Sequence, residues 1–249
     1  MIKEFKGIKR DSESGNVLFL ILIAVALFAA LSYAVTQSSR TGGGATDGES
    51  NLVNSAQITQ YPASVRTAIV RMLIGGVDAT QLEFDPPADF ASLTQDNFGV
   101  FHPSGGGATS VTAPATVMGD GAQGEWLFNS RYQITNIGTT AANNSANDII
   151  AFLPGVNTSI CERINQELGI TGGTDTDTNG VPTSATVVAN VPTVAMNQDG
   201  GTTGIGAYAA THVIAGAFTG QPFGCADFDD ATGGTAADTL IYYHVLVER

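Results

Sequence analysis

The strongest local signal for chemistry is DTDTNG at 175–180. Oxygen donors fall at alternate positions, Asp175, Asp177 and Asn179, and Gly180 supplies a sharp turn. This is the first half of a calcium loop. Calcium is a hard ion that takes several carboxylate and carbonyl oxygens. The second half is absent, because Thr186 stands where a bidentate glutamate is needed. A variant site would borrow Asp227, Asp229 or Asp230. Ca2+ is the one cofactor these residues put forward, against the plainer reading of a solvated turn.

Nothing else has the spacing of a reactive centre. His102, His212 and His244 are scattered and do not suit zinc. His244 lies in an apolar run, which predicts a hydrogen-bonded sheet residue. There is no nucleophile elbow and no phosphate-binding loop. Gly201, Gly204 and Gly206 form no dinucleotide fingerprint. The expectation is a protein without catalytic residues, not an enzyme. Two other surface chemistries also have little support. LPGVN at 153–157 is mid-chain and no lysine follows Lys9, which excludes a sortase-built pilus. The sequons at Asn143 and Asn157 are short patterns common by chance.

Cys161 and Cys225 are the only cysteines. Their chemistry depends on the compartment, and the compartment is set by the elements before them. Residues 17–35 (VLFLILIAVALFAALSYAV) carry no charge. At about 1.5 Å per residue they match the hydrocarbon core of a bilayer. Lys3, Lys6, Lys9 and Arg10 precede them, which places the N-terminus on the cytoplasmic side. Beyond Ser39 there are six arginines against twenty acids. The exported part is therefore acidic, which argues against nucleic acid as a partner. Outside the cytoplasm, two cysteines predict one intramolecular bridge between Cys161 and Cys225.

Three readings of the N-terminus compete. A secretory signal has an apolar core of about 7–15 residues with a small-residue cleavage site after it. This run is longer, and Ala29-Ala30 lies inside it. A plain signal anchor would keep its leader. The third reading places cleavage before the apolar run, between Gly15 and Asn16. On Lys9, Arg10, Gly15, Asn16 and the run from Val17, the chain resembles the type IV pilin-like and pseudopilin family. PGVNTSIC at 154–161 also resembles the type IVb pilins, where a strand and a proline lead into a short helix bearing the first cysteine of a terminal disulfide loop.

The resemblance implies removal of residues 1–15 by a prepilin peptidase, with N-methylation of Asn16. It implies a helix whose Val17, Leu18, Phe19, Leu20, Leu27 and Phe28 sit first in the inner membrane. Through an assembly platform, that helix then packs with copies of itself or other pilin-like subunits in an extracellular filament. Calcium in the distal loops of some pseudopilins adds to the case for 175–180. The chain departs from the family at its fifth mature position. Leu20 replaces the usual glutamate, as in some minor tip subunits, and leans away from an ordinary shaft role. The alternative is a bitopic envelope protein that never polymerises and whose head binds a ligand or glycan.

The rest of the chain predicts an α+β head. Gly42-Gly43-Gly44 predict a break over 40–50, at roughly 1 kcal/mol per glycine relative to alanine. A second helix follows, with Ser50 as cap, Leu52, Val53 and Ala56 inward, and Pro62 dividing it. Val65, Ala68, Ile69, Met72 and Leu73 then mark an amphipathic face that stops at Gly75-Gly76. Residues 81–117 read as loops with brief strands. Residues 125–136 alternate as a half-buried strand, and 148–153 form a short apolar strand. Asn157 caps a helix whose face is Ile160, Cys161, Ile164 and Leu168, with Gly169 as its stop. Val187-Val188 and 191–196 suggest strands, 208–218 is strand or helix, and 239–249 close the sheet. The expected order is leader 1–15, transmembrane and filament helix 16–39, Gly-rich break 40–50, and head 51–249. In that head a helix packs on an antiparallel sheet, as in pilins.

Overall fold

The computed structural model describes residues 14–139, 147–170, 212–228 and 239–249. The chain divides into two compact units, Met1–Glu49 and Ser50–Arg249. Helix α1 spans Ser14–Ile74. The sheet is built from β1 (Leu127–Ile134), β2 (Asp148–Pro154), β3 (His212–Ile214), β4 (Phe223–Phe228) and β5 (Thr239–Val247). Helix α2 (Thr158–Glu167) follows β2. The second unit is thus mixed α+β, with helix packed on sheet.

Helix α1 corrects three expectations. Its backbone stays helical through 40–50, so the break at Gly42–Gly44 is not there. Extending a helix needs no new nucleus, and a continuing turn tolerates residues that would never start one. Pro62 does not divide it either. An interior proline costs about 3 kcal/mol. Here it lies on the buried face beside Ile58 and Val65, which are 2 % and 0 % exposed. Burying each of those contributes about 1.5–3 kcal/mol, which offsets the proline. The third correction concerns the face. Leu52, Val53 and Ala56 are exposed, while Ser55 and Ile58 turn inward. From Val65 on the expected face holds: Val65, Ala68, Ile69 and Met72 are buried and Leu73 packs against them.

Among the described residues no helix is long and apolar enough to cross a membrane.

The strand order is β3-β1-β2-β5-β4. The expected antiparallel sheet is mixed, because the edge strand β3 runs parallel to β1. Both faces are covered, so β1 is not the half-buried strand its alternation suggested. Ile149, Ala151 and Leu153 of β2 point to the face bearing α1 and α2, and Ile150 and Phe152 to the other. Strand β5 alternates likewise, Leu240 and Tyr242 against Ile241 and Tyr243.

Strand β1 breaks the alternation through a bulge. Asn129 pairs with Ile150, but Tyr132 pairs with Asp148, so β1 spends one extra residue there. Phe128 consequently packs on the helix face while Tyr132 and Ile134 serve the other. An even spacing that would put all three on one face is split by a single inserted residue.

The region before β1 is irregular, as expected, but its short elements are 3₁₀ turns at Ala79–Gln81, Pro87–Ser92, Asp96–Phe98 and Ala115–Val117. Leu82, Phe84, Val100 and Phe101 from this region fill the core under α1. Residues 212–218 resolve into β3 and a turn at Gly216–Phe218. The strands expected at 187–188 and 191–196 lie outside the described residues.

Candidate functional site

Helix α2 is capped as its sequence predicts. The Asn157 side chain accepts from the Ser159 N–H at 3.0 Å. At the other end the Gly169 N–H reaches the Gln166 carbonyl (3.1 Å), and the Ile170 N–H the Asn165 carbonyl (2.9 Å). That pair of bonds is the left-handed glycine stop, and Gly169 has φ 69°.

Cys161 and Cys225 are joined as expected, with Cα atoms 5.2 Å apart. The bridge ties α2 to β4, the strand at the sheet edge. A second tie, not anticipated, lies one helical turn along. Asn165 Nδ2 donates to the Cys225 carbonyl (2.7 Å), and the Cys225 N–H donates to Asn165 Oδ1 (3.0 Å). One side-chain amide thus stands in for a neighbouring strand at a buried edge. Its only sequence signal was its place four residues after Cys161, on the same helical face. Asn165→Ala leaves a buried donor and acceptor unpaired. We expect it to destabilise the head by about 2–4 kcal/mol in urea unfolding with the disulfide intact.

Two buried titratable groups hold the sheet. Asp148 accepts from the Ile134 N–H and the Arg249 N–H, both at 3.1 Å, joining the end of β1 to the residues after β5. Burial lifts its carboxyl from 3.8 to about 6, those bonds and Arg249 acting the other way and Glu248 adding to it. The Tyr242 hydroxyl lies 2.8 Å from His244 Nδ1, and Phe223 stacks on that imidazole at 5.3 Å. Burial, helped by Arg66, lowers His244 from 6.5 to about 4. Burial raises Tyr242. Both shifts keep the pair neutral, so His244 is the hydrogen-bonded sheet residue expected of it.

The two groups oppose each other in acid. The folded state binds the Asp148 proton more tightly, which adds stability as pH falls through 6 towards 3.8. It binds the His244 proton less tightly, which removes stability as pH falls from 6.5 towards 4. Each slope is at most about 1.4 kcal/mol per pH unit. We expect Asp148→Asn to make stability fall more steeply with acid than the parent, and His244→Gln less steeply. Urea midpoints at several pH values read both.

A concavity lies between α1 and the segments before β1. It is a cleft of about 420 Å³. Tyr61, Phe84, Phe101, Trp126 and Phe128 form its floor. The floor rings pack on one another: Phe84 stacks on Phe128 at 4.7 Å, and Tyr61 tilts against Trp126 at 5.1 Å. Burial pushes the Tyr61 hydroxyl up to about 12, opposed by a hydrogen bond from the Val111 backbone. It is neutral at any physiological pH. The rim is polar, from Ser110, Thr112, Gln123 and Glu125. Two rim segments are held together by paired backbone bonds between Ala113 and Gly124 (2.8 and 3.1 Å). Thr112 Oγ1 adds a bond to Gln123 Oε1 (3.3 Å). Gly124 also lies under the Met118 side chain, whose sulfur a Cβ there would meet at 2.5 Å. Sequence reasoning missed the cleft, whose residues come from segments far apart in the chain. The available hint was the lone Trp126 next to Glu125.

The remaining expected sites fall as follows. Gly15 and Asn16 lie in the first turns of α1. Leu18, Phe19, Leu20, Leu27 and Phe28 all lie outward, and the large apolar side chains of 18–33 range from 40 % exposed at Ile23 to 72 % at Phe28. Asp175, Asp177 and Asn179 lie outside the described residues, as do Asp229 and Asp230. Among the described residues no cluster of three histidine, cysteine or acidic side chains is placed to hold a metal. No family model, curated protein or solved structure matches the chain.

Proposed function

We propose that this chain is a non-catalytic structural subunit of a type IV pilus-like filament or secretion pseudopilus. Residues 16–39 hold it in the inner membrane before assembly, and residues 51–249 form the exported head. The partners in this reading are the membrane, copies of the chain or other pilin-like subunits, the prepilin peptidase and the assembly platform. The observation that carries it is the apolar surface of α1 over 18–33, exposed on every side. Leaving a large apolar side chain in water forfeits about 1.5–3 kcal/mol. The eleven in this stretch require lipid or other apolar helices. The covalently locked α+β head supports the same reading, since disulfides persist outside the cytoplasm.

The test is the intact mass of the purified protein together with electron microscopy of sheared cell-surface material. We expect a chain that begins at methylated Asn16 and is incorporated in fibres. Material that begins at Met1 and stays monomeric in the membrane would overturn the filament and leave a bitopic envelope protein.

A further inference from the structure

The sequon at Asn157 sits on an exposed corner between β2 and α2. We propose that Asn157 is a glycan attachment site, with an oligosaccharide bonded to its Nδ2 in the exported head. This rests on export of the head and not on filament assembly.

Asn157-Thr158-Ser159 has the acceptor pattern, with no proline in the middle. A match this short means nothing where the fold buries or engages the amide. Here it does neither. Asn157 is half-buried, and Thr158 and Ser159 are exposed. The neighbouring turn at 119–123 is exposed as well, and the Gly119 N–H ties it to the Gly155 carbonyl at 2.8 Å. A polymer leaving this corner meets water.

The partners of the amide fix which atom is which. The Ser159 N–H can only donate, so the atom 3.0 Å from it is the oxygen, Oδ1. The Ser159 hydroxyl donates to the same oxygen at 2.8 Å. Among the described residues Nδ2 donates to no group, and it is not sealed from water. The helix cap thus uses one atom of the side chain and attachment uses the other. A glycan on Nδ2 leaves Oδ1 in place to cap α2, so the modified chain keeps its fold.

The Ser159 hydroxyl also assists the reaction. Hydrogen bonds on Oδ1 draw the amide electrons towards oxygen and make an Nδ2 proton easier to lose. The donor is an oligosaccharide carried on a polyprenyl pyrophosphate. Nδ2 bonds to the anomeric carbon and gives up one proton. The bond from that carbon to the pyrophosphate oxygen breaks with its electron pair, and polyprenyl pyrophosphate leaves. No oxidant or reductant takes part.

The full chain is purified from its own host in neutral detergent, and its peptides are mapped by mass spectrometry with fragmentation that keeps the modification in place. We expect a sugar mass on Asn157. Asn157→Asp keeps an oxygen for the Ser159 N–H and lacks the attacking nitrogen. It is expected to lose the glycan completely and to keep the parent's circular dichroism spectrum. Ser159→Ala is expected to lose the glycan too, and a variant that kept it would overturn the proposal. An unmodified Asn157 in chains whose Cys161–Cys225 bridge is formed would overturn the proposal and leave export standing. An unmodified Asn157 together with free thiols would overturn both. A glycan that persists in Asn157→Asp would overturn the assignment in favour of another residue, such as Asn143.

Discussion

Replacing Cys161 and Cys225 together by alanine is expected to lower the unfolding free energy of the head by about 4 kcal/mol. The bridge closes a loop of 64 residues, and in the chain-entropy model that constraint is worth about 4 kcal/mol. Alanine is the informative replacement, because both sulfurs are buried and a serine hydroxyl would need a new partner. The Asn165 amide remains on the Cys225 backbone, so β4 is expected to keep its edge contact and the variant to stay folded at low temperature. Urea unfolding followed by Trp126 fluorescence, on parent and variant, measures the difference. A midpoint unchanged within error would mean that the loop is already constrained in the unfolded chain.

Tyr132→Ala is expected to have an effect of similar size. The bulge between Asn129 and Tyr132 lets Phe128 meet the helix face while Tyr132 and Ile134 meet the other face. Tyr132 is 1 % exposed there, and its ring lies 5.1 Å from that of Phe152. Truncating a buried aromatic side chain of this size costs about 3–5 kcal/mol. Urea unfolding of parent and variant measures the loss, and a midpoint unchanged within error would show that the far face of the sheet repacks without it. Deleting Ser130 is expected to be milder, because it removes the extra residue. Asn129 then stays opposite Ile150 and Tyr132 opposite Asp148 in a regular ladder, so each keeps its face. A deletion variant that does not fold cooperatively would show that the bulge itself is required.

The contrast between these variants and the sequence is instructive. Helix α2 was legible in full: Asn157, the face Ile160-Cys161-Ile164 and Gly169 are local signals, and each acts within one turn. The strand at 148–153 was legible because five apolar residues in a row, 149–153, can hardly be solvated. The disulfide followed from two cysteines and an expected oxidising compartment. The apolar run of 17–35 needed only composition.

Other features were decided where distant segments meet. Pro62 and the glycines at 42–44 argue locally for breaks, yet α1 runs on. Local propensity costs a few kcal/mol, and at Pro62 the burial of Ile58 and Val65 outweighs it. The inward face before Pro62 was misread because Leu52 and Val53 are apolar but Ser55 and Ile58 are the buried pair. The bulge in β1 leaves no mark in its alternation, since its cause is the register of β2. Asp148 reads as an ordinary strand-end acid until two backbone N–H groups, from the end of β1 and from the residues after β5, converge on it. The cleft has no motif at all, because its rings and its carboxylate belong to α1, to the loops before β1 and to β1 itself.

The sequence alone determined what depends on near neighbours and on solvent: which segment shuns water, where a short helix starts and stops, and that its two cysteines would pair. Only the tertiary structure decided which face each strand residue serves, which polar groups are sealed from water and which rings share a cavity. Those are properties of contacts between segments remote in the chain, and their energies enter only once the chain has closed on itself.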